Sequence, residues 1–177
     1  MHLGEVTAFA TLSWQRTPRY SLQLTVGGIF DGRATASGSP KGDVGGGGAL
    51  SIGWSWLPVY ESEEGRPFVQ LAASLGFSTT TAVSDDGERY RLTSGDLRLG
   101  VLVGKTFFQR LSVYAAGRVF GGPVWWHLAG EPVMGGDAHH FALGAGAILR
   151  LPARIDVFAE GMGLGEQSVS VGAGLAF

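Results

Sequence analysis

Large apolar and small polar residues alternate with a period of two along most of the chain, which predicts strands and not helices. In residues 6–14, Val6, Ala8, Ala10, Leu12 and Trp14 share one face, and Thr7, Thr11 and Ser13 take the other. The same alternation returns at 20–26, 50–56, 69–77, 97–103, 111–119, 141–149, 155–159 and 169–177. In the span at 97–103, Leu97, Leu99, Val101 and Val103 oppose Asp96, Arg98, Gly100 and Gly104. In the next, Leu111, Val113, Ala115 and Val119 oppose Ser112, Tyr114, Ala116 and Arg118. At 155–159, Ile155, Val157 and Ala159 oppose Asp156, Phe158 and Glu160. The segments between spans are rich in Gly, Pro, Asp and Ser, as turns require. The long ones are predicted at 31–43, 81–89 and 121–138. Short ones fall at 16–19, 105–110, 151–154 and 164–167, and 57–66 is intermediate. The repetition is of hairpins within one domain, 1–177.

Alternation alone fits a soluble sandwich as well as a barrel. The quality of the second face separates them. A soluble sheet turns that face to water and covers it with Lys, Glu and Arg. Here it carries Gly, Ala, Ser and Thr with a few isolated charges, and lysine occurs only at Lys41 and Lys105. Charged residues make up 16% of the chain, against a typical value of about 25%. Small residues suit the crowded interior of a narrow barrel. The aliphatic face then needs another apolar medium, and lipid is the simplest. In hydrocarbon every backbone polar group must be paired, so strands span only as a closed barrel. The predicted fold is therefore all-β: a closed antiparallel transmembrane β-barrel of 8–10 strands. A soluble barrel around an apolar ligand would reverse the facing, with aliphatic residues inside.

Composition removes other classes. The 30 glycines follow no collagen period, and the plentiful large apolar residues argue against disorder. A net charge of −2 does not suit a nucleic-acid binder. The absence of cysteine excludes thiol, disulfide and zinc-thiolate chemistry. No apolar run approaches the ~18–20 residues of a transmembrane helix. Met1-His2-Leu3-Gly4-Glu5 has neither a charged n-region nor an apolar h-region, so export would need a signal already removed or a start upstream of Met1.

The aromatics sort by strand end. With spans running alternately up and down, Trp14, Tyr20, Trp54, Trp56, Phe68, Phe107, Phe108 and Phe177 fall at one end. Phe30, Phe77, Phe120, Trp125, Trp126 and Phe141 fall at the other. Two aromatic girdles are the pattern of membrane barrels. The last segment, Val169-Ser170-Val171-Gly172-Ala173-Gly174-Leu175-Ala176-Phe177, resembles the final strand of bacterial outer-membrane β-barrel proteins. The resemblance extends over almost the whole chain in pattern and over this segment alone in motif. It implies that Phe177 is read by the barrel-assembly machinery and lies at the periplasmic side. The short turns would then be periplasmic and the long connections external, open to an extracellular partner. Nine spans are odd, whereas single-chain bacterial barrels are even. A strand upstream of Met1 would bring the count to ten.

Four charged residues, Asp96, Arg98, Arg118 and Glu160, are predicted to point inward. They suit an ion network that fills the lumen and holds register, and a role in small-solute passage is the sharper alternative. The predicted function is a non-enzymatic, structural, partner-binding or solute-passing barrel among membrane lipids, with no cofactor. His127, His139 and His140 lie near Glu131 and Asp137, but their spacing matches no metal site and no nucleophile marks a lipid-modifying hydrolase. Gly45-Gly46-Gly47-Gly48 lacks the Lys-Ser/Thr of a phosphate loop and predicts strand curvature or close packing. Asp85-Asp86-Gly87-Glu88 lacks the full calcium ligand series and predicts a solvated turn.

Overall fold

The computed structural model describes residues 2–35, 42–62, 65–84, 87, 89–128, 131–136, 140–165 and 167–175. Eleven described strands form one antiparallel sheet, with no α-helix among the described residues. They are β1 (His2–Thr17), β2 (Tyr20–Thr35), β3 (Gly42–Val59), β4 (Phe68–Ser84), β5 (Arg89–Phe107) and β6 (Leu111–Gly121). Then come β7 (Pro123–Leu128), β8 (Glu131–Gly136), β9 (Phe141–Leu151), β10 (Ile155–Gly165) and β11 (Ser168–Leu175). The wall runs β1-β2-β3-β4-β5-β6-β9-β10-β11, nine strands that each contain one span of the alternating pattern.

Side-chain chemistry confirms the register. Four directly opposed hydroxyl pairs meet across neighbouring strands: Thr11 with Thr25 at 2.9 Å, Ser21 with Ser55 at 2.7 Å, Ser78 with Ser94 at 2.8 Å and Thr106 with Ser112 at 2.9 Å. All four lie on the face of small residues. A slip of one residue would turn each hydroxyl to the aliphatic face, so the pairs hold the register.

The two faces differ as the alternation predicts. Leu12, Ile52, Leu75, Leu97, Leu99, Val119 and Leu143 are exposed on the outer face. The inner face holds the core, where Tyr114, Ala116, Ala142 and Met162 are buried and Phe68, Leu102, Phe120 and Ile148 pack on them. Most large aliphatic side chains are therefore outside, while the inner face combines small residues with this one cluster of larger ones, with burial concentrated under β6, β9 and β10.

Three features differ from the sequence reading. First, the sheet is an open half-barrel, and β1 and β11 are unpaired edges. Eight antiparallel steps separate these edges, so they run in the same direction and cannot join as an antiparallel pair. Second, the predicted connections 31–43, 81–89 and 121–138 are largely strand. β2 and β3 close to residues 36–41, and β4 and β5 to residues 85–88. Most of 121–138 is the β7–β8 hairpin, which continues the wall by pairing Trp125 with Thr93 and Val124 with Ser94 of β5. These segments carry Thr, Val and Trp, good strand formers without an apolar alternation. Third, Phe68 and Phe120 turn inward onto the core and leave the girdles. Trp14, Tyr20, Trp54, Phe107 and Phe108 remain exposed at one end, and Phe30, Phe77, Trp125 and Phe141 at the other. Tyr20 stacks between Trp54 and Trp56, with both ring-centroid distances 6.3 Å.

The glycine run at 45–48 bends the wall. A β-bulge falls between Val44 and Gly47 against β4, and the Thr80 hydroxyl donates to the Gly45 carbonyl at 2.9 Å. A Cβ on Gly47 would lie 2.3 Å from the Thr79 carbonyl oxygen, so only glycine allows this approach.

Candidate functional site

The inner face brings the four predicted charges together as two pairs. β6 presents Arg118 and β10 presents Glu160, with β9 between them. One guanidinium nitrogen of Arg118, Nη2, donates to both carboxylate oxygens of Glu160, at 2.7 and 2.8 Å. The Tyr114 hydroxyl donates to Glu160 Oε2 at 3.1 Å. Glu160 is nearly buried, with its side chain 9% exposed, and Arg118 is 32% exposed.

Glycines on the intervening strand make this reach possible. Gly146 of β9 sits opposite both Tyr114 and Glu160 in register. A Cβ there would come within 2.5 Å of the Tyr114 ring and hydroxyl. Gly144 is equally tight against Gly161 and Met162. Gly104 of β5 lies under the Tyr114 Cβ and the Phe68 ring. Three bare backbone positions thus leave the volume that one tyrosine and one ion pair occupy.

The second pair lies on β5, where Arg98 Nε donates to Asp96 across one pleat. The Asp96 carboxylate lies over Gly76, again a position with no room for a side chain. The Arg98 guanidinium sits 5.5 Å from the centroid of the Phe120 ring. A third inner-face pair, Arg150 with Asp156 at 3.5 Å, joins β9 to β10 near the opposite end and was not anticipated. Its signal was available: both residues share the inner-face parity and face each other in register. Tyr114 was placed on the inner face by its parity but not in the network. It stands four residues from Arg118 on the same face, which is the cue that would have found it.

Phe177, His139 and Asp137 lie outside the described residues, as do Asp85, Asp86 and Glu88. The backbones of His127 and Glu131 belong to β7 and β8. The His140 carbonyl accepts a hydrogen bond from the Phe120 N–H at 3.0 Å, and its side chain is exposed. Among the described residues no three His, Asp or Glu side chains converge on one point.

Chemically, the site is a set of satisfied charges in a narrow space. Each charge has an opposite partner, and the carboxylate with least access to water has the most donors. Such an arrangement ties neighbouring strands together on the inner face. No family model matches the chain, and no curated protein or solved structure matches it.

Proposed function

We propose that this chain forms the wall of a bacterial outer-membrane β-barrel whose lumen is held closed by Arg118, Glu160 and Tyr114. One observation carries the reading: large aliphatic side chains cover the exposed outer face, while small residues and paired charges fill the inner one. Water disfavours that arrangement and lipid favours it. The aromatic residues at both strand ends add support, since Trp and Tyr favour the two membrane interfaces.

Closure in this reading takes one further strand, antiparallel to both β1 and β11. That makes a ten-stranded barrel, only a little wider than the eight-stranded size whose interior side chains just fill. The role is structural, with membrane lipids as the constant partner and the assembly machinery as the route of insertion. The turn between β1 and β2 and those after β5 and β9 lie on the periplasmic side. The β7–β8 hairpin and the segments after β2 and β4 lie outside, where they offer a surface to an extracellular partner.

Two measurements test this. The folded chain in detergent or vesicles should run as a heat-modifiable band, and in detergent-free buffer it should aggregate. A monomeric, folded chain in plain buffer contradicts the membrane reading. In planar bilayers the wild type should show no regular current steps, whereas Arg118→Ala with Glu160→Ala should show them. Steps of equal size from both would contradict the closed lumen.

A further inference from the structure

Three non-glycine residues have positive φ among the described residues: Phe108 at 52°, Gln109 at 58° and Arg154 at 60°. That backbone disfavours side-chain-bearing residues, so it marks places where the surroundings impose it. All three lie in two neighbouring turns, 108–110 after β5 and 152–154 after β9. The turns are tied together, since the Arg150 N–H donates to the Arg110 carbonyl at 2.8 Å. Between them opens a cleft lined by Phe108, Gln109, Arg110, Arg150, Leu151 and Pro152. It offers the Arg110 guanidinium and that of Arg150, which Asp156 approaches at 3.5 Å, beside three apolar side chains. Phe108 is 91% exposed, held off the sheet by its turn. The Arg110 guanidinium has no ion-pair partner among the described residues.

Charge is unevenly placed along the strand axis. Among the described residues, the end with this cleft holds Arg16, Arg19, Arg66, Lys105, Arg110, Arg150 and Arg154 against two acids, Glu61 and Asp156. At the other end the described residues include Arg33, Arg89 and Arg91 with Glu5, Asp31, Asp43 and Glu131. Among the described residues the cleft end is thus strongly basic and the other is not. The basic end also carries the Trp14, Tyr20 and Trp54 aromatics.

We infer that this cleft binds the phosphate of an anionic phospholipid, with Arg110 and Arg150 on the phosphate and Phe108, Leu151 and Pro152 against the upper acyl chain. Arginine pairs well with phosphate because its planar fork meets two oxygens at once. Basic residues at a membrane surface gain from anionic headgroups, and exposed aromatics lie at the same level. The inference rests on the membrane reading above.

The test uses the full chain folded in detergent micelles and native mass spectrometry with added phosphatidylglycerol or phosphatidylcholine. The wild type should retain phosphatidylglycerol in preference to phosphatidylcholine. Arg110→Ala with Arg150→Ala should weaken that retention about thirty-fold. Arg110→Ala alone, which breaks no described ion pair, should weaken it about fivefold. Arg16→Ala with Arg19→Ala, away from the cleft, should change it little. Heat-modifiable migration of each variant checks that it folds. Equal retention of both lipids, or no loss in either cleft variant, overturns the inference. Displacement by an equal concentration of inorganic phosphate overturns the lipid assignment. Failure of the wild type to insert into neutral phosphatidylcholine vesicles overturns this inference and the membrane reading together. Insertion without lipid preference overturns only the cleft.

Discussion

Glu160 is the residue whose environment leaves least freedom. Its carboxylate is almost dry and takes three hydrogen bonds, two from Arg118 and one from Tyr114. Removing one partner of such a pair strands the other charge. Arg118→Ala should therefore destabilise the fold by about 3 kcal/mol, measured by urea unfolding in vesicles. Replacing both, as Arg118→Met with Glu160→Leu, should cost far less, because the pair repays little beyond its own desolvation. Equal losses from the single and double replacements would contradict this account. Gly146 sets the space around the same group. Gly146→Ala places a Cβ against the Tyr114 ring and the Ala159 carbonyl, and should cost about 1–3 kcal/mol. Adding Tyr114→Ala should recover part of that loss, which a double-mutant cycle would read as coupling. The inward facing of all four charges was legible from parity alone. The pairing of Arg118 with Glu160 was not, because it depends on which strands stand two apart and on glycines that let side chains cross between them.

At the scale of the element, alternation located all nine wall strands, and it did so because each places one chemistry per face. It missed the outer parts of β2 to β5 and the whole β7–β8 hairpin. There apolar and polar residues do not alternate, and pairing rests on β-branched and aromatic residues and on hydroxyl contacts such as Ser78 with Ser94. Parity with Val69 and Val119 already put Phe68 and Phe120 on the inner face, and their assignment to the girdles used only their position near a strand end. The outer face of β5 makes a direct prediction. Leu99 is exposed at the middle of that strand. On a face turned to hydrocarbon, Leu99→Arg should cost about 2–4 kcal/mol in a bilayer. On a face turned to water, the same change should stay within about 0.5 kcal/mol. Equilibrium unfolding in vesicles distinguishes the two values.

For the whole molecule, sequence and structure agree on what is inside and differ on closure. The nine strands leave parallel-running edges at β1 and β11, and Val169 and Val171 of β11 are largely exposed. On the inner face near the other edge, Phe9 lies over Gly27 and remains exposed. The strand count was readable from the pattern, whereas an open seam is a property of pairing that no single span records. The central claim is the facing of the wall, and the cysteine-free chain allows it to be measured cleanly. Single cysteines at positions 97 to 103, carrying an environment-sensitive fluorophore, can be read in vesicles containing a quencher confined to the acyl chains. The account predicts strong quenching at 97, 99, 101 and 103 and weak quenching at 98, 100 and 102. Quenching with the opposite parity, or none that alternates, would contradict it.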